Sequence, residues 1–194
     1  MKPVVAACAF LLASSAFAAD LTVFGFELGK PLNLPECRYK MSGTMKLYDI
    51  LSDTTCTEEA ILINTYGQPV RRIIFSQKEA PTIVKSWQMI ALEADGNLIG
   101  VEFFTVGASA QDVTLQTLTQ KYGKPSGKSS KTVGNNFGAS MEAITASWKT
   151  QELNVYFEGI TDRLDRGHVL IDLPQASALR ESWFKQGTAG NRAL

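Results

Sequence analysis

The stretch VKSWQMIALEADGNLIGVEFFTV, residues 84–106, carries the strongest structural signal in the chain. Asp95-Gly96 separates two apolar runs that contain no proline. An Asp-Gly pair between apolar runs is the strongest short-range hairpin signal, because glycine accepts the positive φ angle of a tight turn. Both faces of the return run are largely apolar, which is typical of a central strand. We predict a hairpin with strands over residues 84–94 and 98–106.

A helix is predicted directly after this hairpin, over residues 110–122. Ser109 stands at the N-cap position, where its hydroxyl can accept a backbone N–H. Gly123 can take the left-handed conformation at the C-terminus, and Pro125 prevents continuation. The apolar residues at helical spacing are Leu115, Leu118 and Tyr122.

The second half of the chain predicts further strands over residues 142–149, 153–160 and 168–173. Residues 126–140 are rich in Ser, Gly, Lys and Asn, and we predict a mobile connection there, with a short hairpin across Gly134-Asn135 as an open alternative. A last helix is predicted over residues 175–186, opened by Pro174 and ended by Gly187.

These elements predict an α+β fold: a mainly antiparallel sheet of about six strands, one packed helix and a C-terminal helix. Residues 58–66 stay open between helix and strand, because a capping box favours the first and β-branched content the second. Tyr66-Gly67-Gln68-Pro69 is echoed by Tyr122-Gly123-Lys124-Pro125. This echo reflects either a duplicated helix-plus-strands unit or common turn chemistry.

The first eighteen residues have the features of a signal peptide. Lys2 supplies the basic start, residues 4–13 the apolar run, and Ala16-Phe17-Ala18 the cleavage site. No other segment is apolar enough to cross a membrane. We therefore expect a single α+β domain over residues 19–187, a flexible tail over 188–194, and a periplasmic or secreted location.

Charge composition argues against two classes of partner. The chain has 19 basic and 19 acidic residues, and loss of Lys2 with the signal peptide leaves a net charge near −1. Nothing in this balance favours nucleic acid or an anionic membrane surface.

Cysteine usage predicts a disulfide. Removal of residues 1–18 takes Cys8 with it and leaves Cys37 and Cys56. Two cysteines in an oxidising compartment, without CxxC spacing, most simply pair with each other. The predicted bridge is structural, because the single histidine lies more than a hundred residues away.

Motifs for catalysis or cofactors are weak. His168 has no Gly-x-Ser-x-Gly partner motif and is interpreted as a strand-end histidine. The acids Asp162, Asp165 and Asp172 lack the spacing of a calcium loop, and a solvated turn is favoured. The Gly127-Lys128-Ser129 sequence fails the spacing of a phosphate-binding loop. We expect no cofactor and no metal.

Candidate partner-binding residues are Trp148, Arg71 and Arg72. Aromatic residues at strand period more often fill a core, but Trp148 borders the polar run 149–152 and is the best surface candidate. The two arginines lie on a predicted edge strand, where charge also prevents aggregation.

A family resemblance adds to this interpretation. The chain combines a signal peptide, a Gly-x-x-Leu-Gly-x-Pro stretch at Gly25–Pro31, a cysteine pair, an Asp-Gly hairpin and a helix ending in Lys121–Pro125. This pattern resembles small exported bacterial proteins of uncharacterised function. More loosely, over Gly25–Leu173, it is similar to periplasmic α+β modules of the outer-membrane assembly lipoprotein and beta-lactamase-inhibitor-protein type. The resemblance implies protein binding and supplies no catalytic residues.

The sequence therefore favours a non-catalytic module that binds another envelope or secreted protein. Two alternatives remain open at this point. One is a small-ligand carrier with an apolar pocket. The other is a hydrolase whose carboxylates are brought together only by the fold.

Overall fold

The computed structural model describes residues 20–48, 54–58, 62–63, 69–134 and 140–190. Its helices are α1 (Gln111–Tyr122) and α2 (Pro174–Gly190). Its strands are β1 (Thr22–Val23), β2 (Phe26–Glu27), β3 (Tyr39–Ser42), β4 (Met45–Tyr48), β5 (Cys56–Thr57), β6 (Leu62–Ile63), β7 (Pro69–Ile74), β8 (Gln88–Ala94), β9 (Asn97–Thr105), β10 (Gly127–Gly134), β11 (Ser140–Lys149), β12 (Asn154–Glu158) and β13 (Gly167–Asp172). The predicted α+β class is confirmed.

One large antiparallel sheet organises the described chain. Its strand order is β10-β11-β12-β13-β9-β8-β7-β5, and β6 also pairs with β7. The pairs β1-β2 and β3-β4 form separate two-stranded hairpins. The sheet has more strands than the six predicted, because β10 is polar and the strands β5 and β6 are only two residues long.

The Asp95-Gly96 hairpin is confirmed. Both turn residues have positive φ, 50° and 76°, as a type I′ turn requires. The first strand begins at Gln88 rather than at Val84, because Ser86 and Trp87 both adopt left-handed backbone and bend the chain before β8. β9 is central as predicted, with β8 on one side and β13 on the other.

Helix α1 is confirmed, but its predicted cap is wrong. The N-cap residue is Ala110, and Ser109 lies in a preceding 3-10 turn where its hydroxyl donates to the Val106 carbonyl. Leu118 is buried, and Leu115 and Tyr122 pack against the core beside it. Gly123 ends the helix with the expected positive φ of 79°.

The two helices cover opposite faces of the sheet. Leu118 of α1 packs on the face that carries Phe103 and Ile171. Helix α2 packs on the other face, where Ala176 lies against Gly100. The first face holds the main core and is also covered by the β1-β2 hairpin. Its fully buried members include Met89, Val101, Phe103, Phe157, Val169 and Ile171.

The strand order has an internal symmetry. The four strands β5-β7-β8-β9 precede α1, and β10-β11-β12-β13 precede α2, so that each meander ends on a central strand. The predicted duplication instead puts a helix before each set of strands. Helix α1 holds that place before β10, whereas the corresponding segment before β7 contains strand β6 and lies otherwise outside the described residues.

Two predictions about flexible segments need correction. Residues 127–134 do not belong to a mobile connection: they form β10 and pair antiparallel along their whole length with β11, as the hairpin alternative implied. Helix α2 continues past Gly187 to Gly190, because one glycine in a helix costs only about 1 kcal/mol. The predicted tail thus begins inside a helix, and residues 191–194 lie outside the described part, as do residues 135–139 of the connection.

The ambiguous segment 58–66 is described only in part. Leu62–Ile63 forms strand β6, while residues 59–61 and 64–68 lie outside the described chain. The capping-box interpretation is wrong. The Thr55 hydroxyl donates to Glu79 Oε2 at 2.6 Å and does not cap a helix by accepting a backbone N–H.

The predicted disulfide is confirmed. Cys37 and Cys56 are bonded, with Cα atoms 4.9 Å apart. Both are buried with Ile74 in a small cluster at the β5 edge of the sheet. The bridge thereby ties the irregular segment after β2 to the sheet. In the described residues no helix combines the length and the apolar character needed to cross a membrane.

Candidate functional site

One part of the sheet that no described helix covers lies on the face occupied by α2. Helix α2 crosses this face near Gly100 and Leu92, and it leaves the β11-β12-β13 side open. Cross-strand pairing places six partly or well exposed residues there on one surface. This surface, which we term the open patch, consists of Phe104, Thr145, Ser147, Tyr156, His168 and Leu170.

Strand alternation explains why these residues face outward. In β12 and β13, Val155, Phe157 and Val169 point into the core, so the residues between them point to the other face. Tyr156 is 37% exposed and lies opposite Leu170 across the β12-β13 pair. Together they put an aromatic ring and an aliphatic side chain at the centre of the patch.

A charged network borders the open patch where α2 meets the sheet. Arg180 of α2 donates through Nε to Asp172 Oδ2 at 2.9 Å and through Nη1 to Glu102 Oε2 at 3.0 Å. The other oxygen of Glu102 lies 3.0 Å from His168 Nε2. The His168 ring stacks on Phe104 at a centroid distance of 5.3 Å. One arginine thus connects α2 to both central strands, β9 and β13.

The two carboxyl groups of this network have opposite pKa shifts. Burial raises the pKa of Asp172 to about 6, although Arg180 beside it acts in the opposite direction. Burial also acts to raise the pKa of Glu102, but His168 and Arg180 outweigh it and lower that pKa below its usual value. Opposite shifts within one cluster are typical of acid-base sites and also of structural ion-pair networks.

The position of Asp172 favours a structural role. Its side chain is 5% exposed, and a Cβ atom at Gly100 would lie only 2.2 Å from its Oδ1 atom. The carboxyl group therefore sits against β9 and below α2, at the base of the pocket described next, and its hydrogen bond to Arg180 occupies one of its two oxygens. Asp172 Oδ1 and Arg180 Nη2 are buried without a hydrogen-bond partner. A buried network of this kind orients α2 on the sheet.

A shallow pocket of about 300 Å³ lies between α2 and the open patch. Its volume is more than one large side chain needs and lies at the lower end of the range for small-molecule sites. Its walls combine apolar atoms with hydrogen-bonding groups: Ser147, Asn154, Tyr156, Leu170, Ser177 and Arg180. The pocket is thus suited to a single anchoring side chain.

The predicted contact residue Trp148 is not at this surface. Trp148 is 3% exposed, belongs to the main core, and donates its Nε1–H to the Gly123 carbonyl at 2.7 Å. It occupies a core-facing position in β11. The polar run 149–152 begins at the last residue of this strand and therefore does not indicate which way Trp148 points. The prediction of an exposed Trp148 is wrong, and the outward position is held by its neighbour Ser147.

Arg71 and Arg72 lie on β7, which is not an edge strand. β7 pairs with β8 on one side and with β5 and β6 on the other. Arg71 Nε lies 3.3 Å from Glu93 Oε2, and Arg72 Nη1 lies 3.0 Å from Glu58 Oε1. Both arginines are therefore engaged in ion pairs and do not lie on the open patch.

Comparisons with known proteins add no relative: no known protein family, no curated protein and no solved structure matches this chain. The role of the site is therefore inferred from its own geometry.

Sequence reasoning missed Tyr156, Leu170 and Arg180. The alternation in LNVYFEGI places Tyr156 on the outward face of its strand, and this signal was available. Arg180 carried no local signal, because its two carboxylate partners lie 8 and 78 residues away. In the described residues, no group of three or more His, Cys, Asp or Glu side chains is placed to hold a metal ion.

Proposed function

We propose that this protein is a non-catalytic module that binds another envelope or secreted protein through the open patch. The observation that carries the proposal is the exposed Tyr156 ring opposite the half-buried Leu170, beside a pocket large enough for one side chain. An apolar centre with a polar border is the usual anatomy of a protein interface. Thr145 and Ser147 supply that border on the β11 side.

The charges around the patch indicate what kind of partner it fits. Glu102 is already bonded to Arg180 and His168, and Glu158 has Lys131 at 3.7 Å. Because these carboxylates have cationic neighbours within the chain, the patch does not favour a strongly charged partner. We propose a folded protein that inserts one large apolar or aromatic side chain into the pocket.

The export of this protein is part of the proposal. The Cys37–Cys56 disulfide fits an oxidising compartment, and residues 1–18 have the features of a signal peptide. The chain recovered from the periplasm or medium is expected to begin at Ala19. Intact-mass measurement tests this expectation, and a recovered chain that retains Met1 would contradict export by cleavage.

Photo-crosslinking in cells tests the patch directly. A benzoylphenylalanine introduced at Tyr156 is expected to form a discrete crosslinked product with another protein. The matched control places the same group at Val113, which is 51% exposed on α1 and far from the patch in the fold. The same product from both positions, or no product from position 156, would overturn the proposed interface.

A further inference from the structure

A second cleft lies on the opposite face of the sheet, under the β1-β2 hairpin. It has a volume of about 400 Å³ and is lined in part by Phe24, Phe26, Leu34, Pro35, Phe75 and Glu79. This volume falls within the usual range for small-molecule sites. The cleft is separate from the open patch, and its chemistry is independent of the proposed function.

Three aromatic rings in different orientations line this cleft: Phe24 and Phe26 are half-buried, and Phe75, which is 2% exposed, lies at its base. The Phe24 ring is nearly perpendicular to that of Phe75, at 87° and a centroid distance of 6.0 Å. The Phe26 ring is tilted by 49° to Phe75, at 6.2 Å. Rings that are not parallel surround a bound group from several directions, as in the aromatic cages that bind alkylated ammonium groups.

The backbone at Phe24 is held in an unusual conformation. Its φ angle is +49°, in the left-handed region that bulky residues rarely adopt. The tight β1-β2 turn requires this angle at Phe24 and at Gly25. The ring is fixed by edge contacts with Phe75 and, at 5.2 Å, with Phe103. The aromatic wall is therefore preorganised by core packing.

A carboxylate stands at the same cleft. Glu79 Oε2 accepts hydrogen bonds from the Thr55 N–H at 3.0 Å, the Thr55 hydroxyl at 2.6 Å and the Ser76 hydroxyl at 3.0 Å. These bonds lower the pKa of Glu79, with Thr55 as the main cause, so the group is ionised at neutral pH. The cleft thus combines aromatic walls with a fixed negative charge.

This combination discriminates among ligand classes. An anion would be repelled by Glu79. A neutral apolar molecule would gain no attraction from the carboxylate. A small metal ion or ammonium is strongly hydrated and gains little from aromatic walls. An alkylated ammonium group is weakly hydrated, contacts the rings and neutralises the carboxylate.

We propose that the cleft binds a small molecule with a trimethylammonium group, with Phe24, Phe26 and Phe75 against the methyl groups and Glu79 as the counter-charge. Choline is the probe for this site. Its neutral carbon isostere, 3,3-dimethylbutan-1-ol, has the same shape without the charge. Titration calorimetry on the purified protein is expected to show choline binding at least tenfold tighter than the isostere.

Two variants test the named residues. Glu79→Gln keeps the side-chain shape and an acceptor oxygen, and it should weaken choline binding at least fivefold. Phe26→Leu keeps an apolar contact to the core and should weaken binding about two- to fivefold. Glu27→Gln is the matched control, because Glu27 is exposed on β2 and its substitution removes the same charge nearby. Thermal melting curves of each variant check that it is folded before binding is measured.

Several outcomes would overturn the assignment. These are no choline binding at 20 mM, equal affinity for the neutral isostere, or equal loss of affinity in Glu79→Gln and Glu27→Gln. A second ligand is tested in the same way: Nα-acetyl-lysine methylamide, which mimics a lysine residue of a protein and keeps its side-chain amine free. If it binds as tightly as choline, the cleft accepts a lysine side chain of a protein, and the small-molecule assignment is wrong.

Discussion

Arg180 of the C-terminal helix and Asp172 of the last strand are joined by a 2.9 Å hydrogen bond in a part of the protein where the Asp172 side chain has almost no contact with solvent. The same arginine reaches Glu102 on the neighbouring strand. Because strand and helix adjoin directly in sequence, this pair fixes the direction in which α2 leaves the sheet. The direction of α2 therefore determines how much of this face of the sheet stays uncovered as the open patch.

Removal of the arginine should destabilise the fold strongly. In Arg180→Met, Asp172 and Glu102 lose their shared cation while remaining largely buried. We expect a loss of about 3 kcal/mol in the free energy of unfolding, measured by urea denaturation. Arg163→Met is the control, because Arg163 pairs with Asp165 at the exposed surface and its loss should cost less than about 0.5 kcal/mol. Equal effects of the two variants would show that the network contributes no more than a surface pair.

Asp172 should give the stability of the protein a distinctive pH dependence. Its pKa is raised to about 6 in the folded state, chiefly by burial, against about 4 in the unfolded chain. The folded state therefore binds more protons between these values, and the contribution of Asp172 to stability falls as pH rises from about 4 to 6. Asp172→Asn removes this contribution.

Urea denaturation of both proteins at pH 4 and pH 7 measures this effect. The stability of Asp172→Asn relative to wild type should improve by about 2–3 kcal/mol between the two pH values. The other shifted carboxyl groups, including Glu102, are common to both proteins and largely cancel in the difference. A difference that does not change with pH would show that Asp172 titrates normally.

Gln111 should be essential for the position of α1. Its side chain is buried, donates through Nε2 to the Glu142 carbonyl at 2.9 Å, and accepts the Ile144 N–H at 2.8 Å. Gln111→Leu leaves both backbone groups of β11 without these partners, and we expect a loss of about 2–4 kcal/mol in unfolding free energy. Gln116→Leu, on the exposed side of the same helix, is the matched control and should change stability by less than about 0.5 kcal/mol. A small effect at position 111 would mean that water replaces the amide.

The disulfide should stabilise the protein without determining its secondary structure. Its two cysteines are 19 positions apart, and closing such a loop is worth about 3 kcal/mol in the loop-entropy model. The double variant Cys37→Ser/Cys56→Ser should melt at a lower temperature and keep its far-UV circular dichroism spectrum, because the bridge lies at the β5 edge of the sheet. Reductant should lower the melting temperature of the wild type and leave that of the double variant unchanged. Equal melting temperatures would rule out a stabilising bridge.

Predictions based on local signals were the most successful. The Asp95-Gly96 turn, the α1 stripe with its terminal glycine, and the cysteine pair all depend on residues that are close in sequence or on simple elimination. The errors concern features that the local residue pattern does not decide. The polar residues of β10 carry no apolar alternation, and β11 supplies the hydrogen bonds that make them a strand.

The candidate site was also predictable only in part from the sequence. The sequence placed Trp148 next to a polar run and suggested exposure, but the pleat of β11 turns its ring into the core. Tyr156 was predictable as an outward residue. Its pairing with Leu170 and the pocket beside α2 required the register of β12 and β13 and the direction of the C-terminal helix.

The order of residues along the chain was enough to specify the central hairpin, the helix after it, the α+β class and the disulfide, because turns, helix ends and side-chain periodicity depend on near neighbours. The three-dimensional packing was needed to establish which face of the sheet each helix covers, which polar groups are buried, and where the open patch and the aromatic cleft lie. Burial and pairing depend on which other segment packs against a residue, and that segment often lies many tens of positions away in the chain.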